Sequence, residues 1–292
     1  MSEFQDSEFN GKVVVITGAG GGLGRSHAIE FAKRGAKVLV NDLGGSVDGT
    51  GASDSAKAVV AEIEAMGGTA IANGDSVSDK EGAKRIIQDA VDAFGTVHIL
   101  VNNAGILRDK TLKKMEMEDF DLVMQVHMNG SAYVTKAAWE VMYEQRYGRI
   151  VLTSSGSGIY GNFGQSNYGA AKMAMLGFMN VLMLEGRNRN IRVNCLAPGA
   201  ATRMIASIPG RDIDPDNPDP ENHPRLVSPA VLFMCQEDAP TGAVINASRG
   251  NFSRAQIYVN EGVSLGVDAS YEDLAAVGEQ LMDMAGAAPR ER

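Results

Sequence analysis

The sequence predicts a doubly wound α/β domain, a mainly parallel sheet with helices on both faces. Three observations predict it. Short β-branched runs alternate with helical patterns between residues 13 and 199. A glycine-rich turn joins the first such run to the first helical pattern. Acidic or small residues then close successive strands, on the side where sheets of this kind bind ligands.

The elements come in order. VVVIT (13–17) reads as the first strand, and LGRSHAIEFAKRG as a helix that stops at Gly35. KVLVND (37–42) is the second strand; after a Gly-rich loop, SDSAKAVVAEIEAMGG reads as a helix with a glycine stop. TAIANGD, DKEGAKRIIQDAVDAFG and HILVNNAG repeat the cycle. A long helical region covers 119–145; RIVLTSS is a strand, YGAAKMAMLGFMNVLMLEGRNRN a helix and IRVNCLAPG a strand. Parallel neighbours joined this way require right-handed crossovers. The chain reads as one domain, 1–292, with one further helix at 271–285 and residues 267–292 as a C-terminal helix and tail.

SIPGRDIDPDNPDPENHPRL (207–226) breaks the alternation. It holds five of the nine prolines, which excludes regular helix and central strand. It is either a mobile surface loop or a lid over a ligand. Its place after a strand end favours the lid, with 200–226 as the substrate loop.

Composition narrows the function. A net charge of -9 argues against nucleic acid as a partner and against attraction to anionic membranes. No apolar run approaches the roughly 20 residues of a membrane span. Cys195 and Cys235 have no metal-type spacing, so no metal is expected, and they read as buried apolar residues in a reducing compartment. The polar start MSEFQDSEFNGK is unlike a signal peptide, and the APRER terminus carries no peroxisomal address, so a cytoplasmic protein is expected.

TGAGGGLG (17–24) lies between strand and helix. Glycines there let the backbone turn tightly and approach a pyrophosphate that the helix amino terminus attracts. This makes the sheet a Rossmann-type dinucleotide fold, with Gly18, Gly22, Leu23 and Gly24 beside the cofactor. Asp42 closes the second strand, where a carboxylate accepts hydrogen bonds from the adenosine ribose and repels a 2′-phosphate. No Arg or Lys lies in 18–24 or 38–47, so NAD is favoured over NADP. The alternative for Asp42 is an ordinary turn residue. Asp75, with Ser76 after it, either contacts the adenine or caps the next helix. In NNAG, Asn103, Ala104 and Gly105 would let the backbone run beside the ribose.

Tyr168 stands four residues before Lys172, so on a helix both share one face. Chance alone produces such pairs, and the spacing decides nothing by itself. Taken with TGxxxGxG, Asp42, NNAG, a serine 13 residues before the tyrosine, and Pro198-Gly199, however, residues 10–265 resemble the short-chain dehydrogenase/reductase family. The resemblance implies that Tyr168 is the general acid/base. Lys172 would bind the nicotinamide ribose and lower the tyrosine pKa, Ser155 would hold the substrate oxygen, and Pro198, Gly199 and Thr202 would hold the nicotinamide carboxamide. Ser154 and Thr153 stand too early for that serine role. Where the family has an asparagine three residues before a glycine, this chain has His127, in VHMNG. The family acts there mainly through the backbone carbonyl, so the imidazole is either a packing group or a proton relay.

VNDLGG, NNAGILRDK, VHMNG and SGIYGNFGQSNYGAAK resemble one subgroup more closely, the (3R)-hydroxyacyl-CoA dehydrogenase domains of peroxisomal multifunctional enzymes. That implies NAD-dependent oxidation of an acyl-CoA or steroid-type substrate by a homodimer or homotetramer. The alternatives are a 17β-hydroxysteroid or other secondary-alcohol dehydrogenase, and a nucleotide-sensing binding protein without turnover. Arg108, Lys110, Lys113 and Lys114 form a basic cluster past NNAG, either a contact for CoA phosphates or a solvated face.

Overall fold

The computed structural model describes residues 7–51, 53–206, 214 and 219–289. These fall into two compact units, divided between Arg254 and Ala255. The first carries the expected alternation: β1 (Val13–Thr17), α1 (Gly22–Lys33), β2 (Lys37–Asn41), α2 (Ser55–Ala65), β3 (Thr69–Asn73), α3 (Lys80–Phe94) and β4 (Ile99–Asn102). Then come α4 (Met117–Met124), α5 (Gly130–Gln145), β5 (Gly148–Thr153), α6 (Gly156–Tyr160), α7 (Ser166–Glu185), β6 (Ile191–Gly199), α8 (Arg203–Ala206), α9 (Ser228–Phe233), β7 (Val244–Ser248) and β8 (Asn251–Ala255).

The strands form one sheet in the order β3-β2-β1-β4-β5-β6-β7-β8, parallel from β3 through β7. This is a Rossmann-type doubly wound sheet. Every residue of β1, β4 and β5 is buried, as expected of central strands covered on both faces. On one face Phe31 of α1, Ile63 of α2 and Val231 of α9 join Val14, Ile16, Val38 and Val40 in a single apolar cluster. Helices α3, α5 and α7 pack elsewhere on the sheet, with α3 also against α5. Strand order reverses between β1 and β4, and the crevice at such a switch point is where dinucleotides bind.

Three features depart from the sequence expectations. The helical region 119–145 is interrupted by a π turn, Gln125–Asn129, between α4 and α5. Strands β7 and β8, which the alternation does not announce, are joined by Arg249-Gly250, both at positive φ (51° and 72°), the pairing of a type I′ hairpin turn. The helix expected at 271–285 is two short ones, α10 (Tyr271–Ala276) and α11 (Gly278–Met282), separated at Val277, whose backbone is non-helical.

That second unit starts α10 with a Ser270–Asp273 capping box and pairs β9 (Tyr258–Val259) antiparallel with β10 (Ala288–Pro289). Of the proline-rich segment, residues 207–213 and 215–218 lie outside the described residues. Its end forms two 3₁₀ turns, Pro220–Asn222 and Pro224–Leu226. No described helix is long and apolar enough to cross a membrane.

Candidate active site

A cleft of about 310 Å³ opens at the carboxyl ends of the strands, and residues of the glycine turn line it. The glycines are there for space. A Cβ on Gly18 would sit 2.7 Å from Ala104 Cα, on Gly20 2.2 Å from Ser55 Oγ, and on Gly24 2.3 Å from Gly18 O. Gly18 and Gly22 also adopt positive φ. Helix α1 starts at Gly22 with no side-chain cap and no acid in its first turn. Its first N–H groups thus stay available to an anion. The cradle fits a pyrophosphate, with Gly22 and Leu23 on the cleft wall and Gly24 packed behind it.

Asp42 holds this cradle together. Its Oδ2 accepts from Gly20 N (2.8 Å) and its Oδ1 from Gly44 N (2.6 Å), so one carboxylate fixes the glycine turn to the loop after β2. It lines the cleft. Arg25, the first cation after the turn, is bound to Glu62 through two contacts of 2.9 and 2.6 Å. Asp75 and Ser76 also line the cleft. The Asp75 carboxylate takes two bonds from Arg85 (2.8 and 2.5 Å) and one from Asn73 (3.0 Å). It caps nothing: the cap of α3 is Asp79, which accepts from Gly82 N.

NNAG works differently from the expectation of a merely small-sided track. Asn103 Nδ2 donates to Thr17 O and Gly18 O (3.0 and 2.9 Å), stapling the loop after β4 to the glycine turn. Gly105 makes room for His127, whose Cε1 would lie 2.2 Å from a Cβ there.

At the other end of the cleft stand Ser155, Tyr168 and Lys172. Ser155 is the amino-terminal cap of α6, its Oγ accepting from Ser157 N (3.1 Å), and it lies close enough to Tyr168 to favour the phenolate. Tyr168 and Lys172 lie one turn apart on α7, both buried. Lys172 Nζ is 5.6 Å from the Tyr168 ring centroid and donates to Thr153 O (2.6 Å). Burial pushes the Tyr168 phenol up to about 12; Ser155 opposes this and the Asp109 charge adds to it. Burial likewise pulls the Lys172 ammonium down to about 7. Here the electrostatics differ from the expectation that Lys172 lowers the tyrosine pKa. Desolvation by burial is the largest cause, and the Lys172 ammonium, engaged by the Thr153 carbonyl, is not among the causes acting on the phenol.

Ser154 buries its Oγ against Lys172 O (2.8 Å), a packing role. Pro198 and Thr202 line the cleft, and Thr202 comes close to Gly22, its Cγ2 3.5 Å from a Cβ there. Gly199 faces away: a Cβ on it would meet Ser248 Oγ at 2.7 Å. Gly158, within the small-residue stretch after Ser155, lets α6 rest on α7, where a Cβ would lie 2.8 Å from Lys172 C.

His127 sits in the π turn, a widened segment of the kind found at functional sites. Its Nε2 is 2.8 Å from Ile106 O and 3.1 Å from Ile106 N, and its ring meets Tyr168 edge-on at 5.2 Å. Burial first, then the Lys172 charge, hold the imidazole neutral, well below its ordinary range. The side chain spaces the β4 loop from Tyr168. Asn129 instead turns to Gln125 (2.7 Å).

The basic cluster is partly neutralised: Arg108 and Lys110 both bind Asp119 (2.7 and 3.1 Å), leaving Lys113 and Lys114 exposed on a 3₁₀ turn. Asp109, which the sequence motifs do not single out, lies within electrostatic reach of Tyr168. Its Oδ2 accepts from Gln165 Nε2 (2.5 Å), and its Oδ1 is buried without a hydrogen-bond partner among the described residues. Its place in NNAGILRDK, just past a cofactor motif, is the one signal of it in the sequence. Among the described residues no three His, Cys, Asp or Glu side chains group so as to hold a metal ion.

Known proteins resemble this chain in sequence and fold. The chain is 47% identical over 278 residues to a putative short-chain type dehydrogenase/reductase of Mycobacterium tuberculosis, covering 94% of this chain and 96% of that protein. It is 50% identical over 230 residues to peroxisomal multifunctional enzyme type 2 of Mus musculus, covering 78% of this chain but only 30% of that much longer protein. The crystal structure of a short chain dehydrogenase from Mycobacterium avium superposes with a TM-score of 0.82 at 36% identity, over 97% of this chain and 98% of that one. The short chain dehydrogenase family model matches residues 12–210. With fold, cleft and sequence in agreement, the chain belongs to the short-chain dehydrogenase/reductase family and is an oxidoreductase.

Proposed function

We propose that the protein oxidises a (3R)-hydroxyacyl-CoA to the 3-oxoacyl-CoA with NAD⁺. The observation that carries this reading is the meeting of Ser155, Tyr168 and Lys172 in the same cleft as the glycine cradle and Asp42. The nicotinamide, when bound, accepts a hydride. Ser155 hydrogen-bonds the substrate oxygen, Tyr168 as phenolate takes the hydroxyl proton, and Lys172 stabilises the phenolate by its charge. Asp42 selects NAD⁺, because a 2′-phosphate would meet its carboxylate while Arg25 is held by Glu62.

The acyl-CoA assignment draws support from the likeness to the mouse multifunctional enzyme. Exposed aromatic surface shortly after Ser155 in the chain fits it: Tyr160 is 72% and Phe163 90% exposed. Residues 200–226 are the substrate loop in this reading, within a single dehydrogenase domain.

A homo-oligomer is part of the same reading. Helix α7 is apolar on nearly all sides, yet Ala170, Met173, Gly177, Val181 and Leu184 form one exposed stripe along it. A helix of that kind is normally covered, here by a second copy. We take the cytoplasm as the compartment, a point for cell fractionation.

Initial rates on the (3R) and (3S) epimers of a hydroxyacyl-CoA and on a free 17β-hydroxysteroid, each with NAD⁺ and NADP⁺, test the reading. The (3R) thioester with NAD⁺ is expected to be used with the highest efficiency. A faster free steroid would transfer the assignment to the hydroxysteroid dehydrogenase reading. NADH binding without turnover of any alcohol would favour a nucleotide sensor.

A further inference from the structure

The chain between β2 and α2 does not stay beside β2. Leu107 N donates to Val47 O at 2.9 Å, and Arg108 Nε donates to Asp48 O at 3.0 Å. The Val47 side chain packs against the apolar cluster of Ile106, Leu107, Val123 and Tyr168. These partners lie beyond β4, and in the sheet β2 and β4 are separated by β1. A segment that leaves β2 and bonds to residues beyond β4 must therefore cross above the carboxyl end of β1. That is the switch point, where the glycine turn begins. Gly45, Ser46, Val47 and Gly49 line the same cleft as Gly18 and Gly22.

The crossing segment is built to hold its shape. Asp48 Oδ1 accepts from Ser46 Oγ (2.5 Å), Thr50 Oγ1 (2.8 Å) and Thr50 N (3.1 Å), and Ser46 N donates to Thr50 O (2.7 Å). Asp42 anchors one end through Gly44 N, and Asp119 steadies Arg108 at the other. Gly44 and Gly51, at φ of 76° and 79°, bracket the segment with residues free to take backbone angles that others resist.

We propose that residues 44–50 are a further part of the dinucleotide site: a strap that closes over the cofactor from the solvent side, with Val47 as its latch. The inference rests on the reading of the cleft as a nicotinamide cofactor site. Release of the dinucleotide then requires Val47 to leave the Ile106–Tyr168 cluster, with the strap pivoting at Gly44 and Gly51. Because Val47 touches the catalytic end of the cleft while Asp42 holds the adenosine end, the strap couples cofactor retention to an ordered catalytic end.

Stopped-flow measurement of NADH release from the purified protein tests this. In Val47→Ser, loss of the apolar contact is expected to speed NADH release about tenfold or more, with a smaller change in association. Arg108→Gln, which removes the Asp48 O contact from the opposite side, is expected to speed release several-fold and serves if the first variant fails to fold. Release within twofold of wild type, in whichever of these variants folds and binds NADH, would overturn the strap while leaving the cofactor site intact. A wild-type protein that binds neither NADH nor NADPH would remove the cofactor reading and the strap with it.

Discussion

The two ends of the cleft are built from different materials. At the dinucleotide end the surface is backbone: glycines whose Cβ positions are already occupied, a staple from Asn103, and a carboxylate that accepts two main-chain N–H groups. At the catalytic end the surface is side chains, those of Tyr168 and Lys172 on the long helix α7 and the others on short or interrupted elements. These are a five-residue α6, a four-residue α8 and a π turn. Backbone surfaces recognise what every member of a cofactor class shares, such as a pyrophosphate. Side-chain surfaces are exchanged without disturbing the sheet, and so carry substrate choice and proton chemistry. The difference predicts that damage at the first end removes binding, whereas damage at the second removes chemistry.

The most severe test is Tyr168→Phe, which takes away one hydroxyl and leaves the cradle untouched. Turnover is expected to fall by about a hundred- to ten-thousandfold, with NADH affinity within a few-fold of wild type by fluorescence titration. A matching loss of both would merge the two ends into one unit. Gly20→Val is its mirror. Its side chain would enter the space of Ser55 and the Asp42 carboxyl. NADH affinity is expected to fall roughly tenfold or more through lost hydrogen bonds in the cradle. A thermal melt separates this effect from unfolding.

Asp42→Ser sharpens the dinucleotide end further. The preference for NAD⁺ over NADP⁺ is expected to shrink by about tenfold or more, since a charge-assisted hydrogen bond and a repulsion disappear together. An unchanged ratio of catalytic efficiencies would place cofactor choice elsewhere.

The pH profile probes the catalytic end. The Tyr168 phenol is pushed up to about 12, chiefly by burial, so little phenolate exists at neutral pH. Alcohol oxidation needs the phenolate and is expected to accelerate as pH rises, less steeply above about pH 7, where Lys172 loses the charge that stabilises the phenolate. Ketone reduction needs the phenol and is expected to hold its rate at lower pH. Asp109 raises the same phenol by its charge. Asp109→Asn is therefore expected to move the acidic limb of the oxidation profile down by about half a unit, the size of a screened charge interaction near a surface. A limb that stays in place, with Tyr168→Phe inactive, would reduce Asp109 to a loop anchor.

What the sequence determined by itself is local. VVVIT-TGAGGGLG announces strand, turn and helix because residue periodicity and glycine spacing act within a few residues. Tyr168 and Lys172 share a face because they lie one helical turn apart. The resemblance of these motifs to one family supplied the rest of the proposed catalytic set. Only the tertiary structure decided which distant groups meet. Asn103 is a staple, and Gly199 packs on Ser248 away from the cleft. Asp79, not Asp75, caps α3, and Asp109 stands near Tyr168. The path of residues 44–50 belongs to the same class. A Gly-rich loop after a strand is legible, but its crossing of β1 to reach Leu107 depends on strand order. Burial is decided there too. Phenol and ammonium carry ordinary pKa values as types, and it is the desolvation imposed by packed neighbours from β5, the π turn and the β4 loop that drives Tyr168 up and Lys172 down.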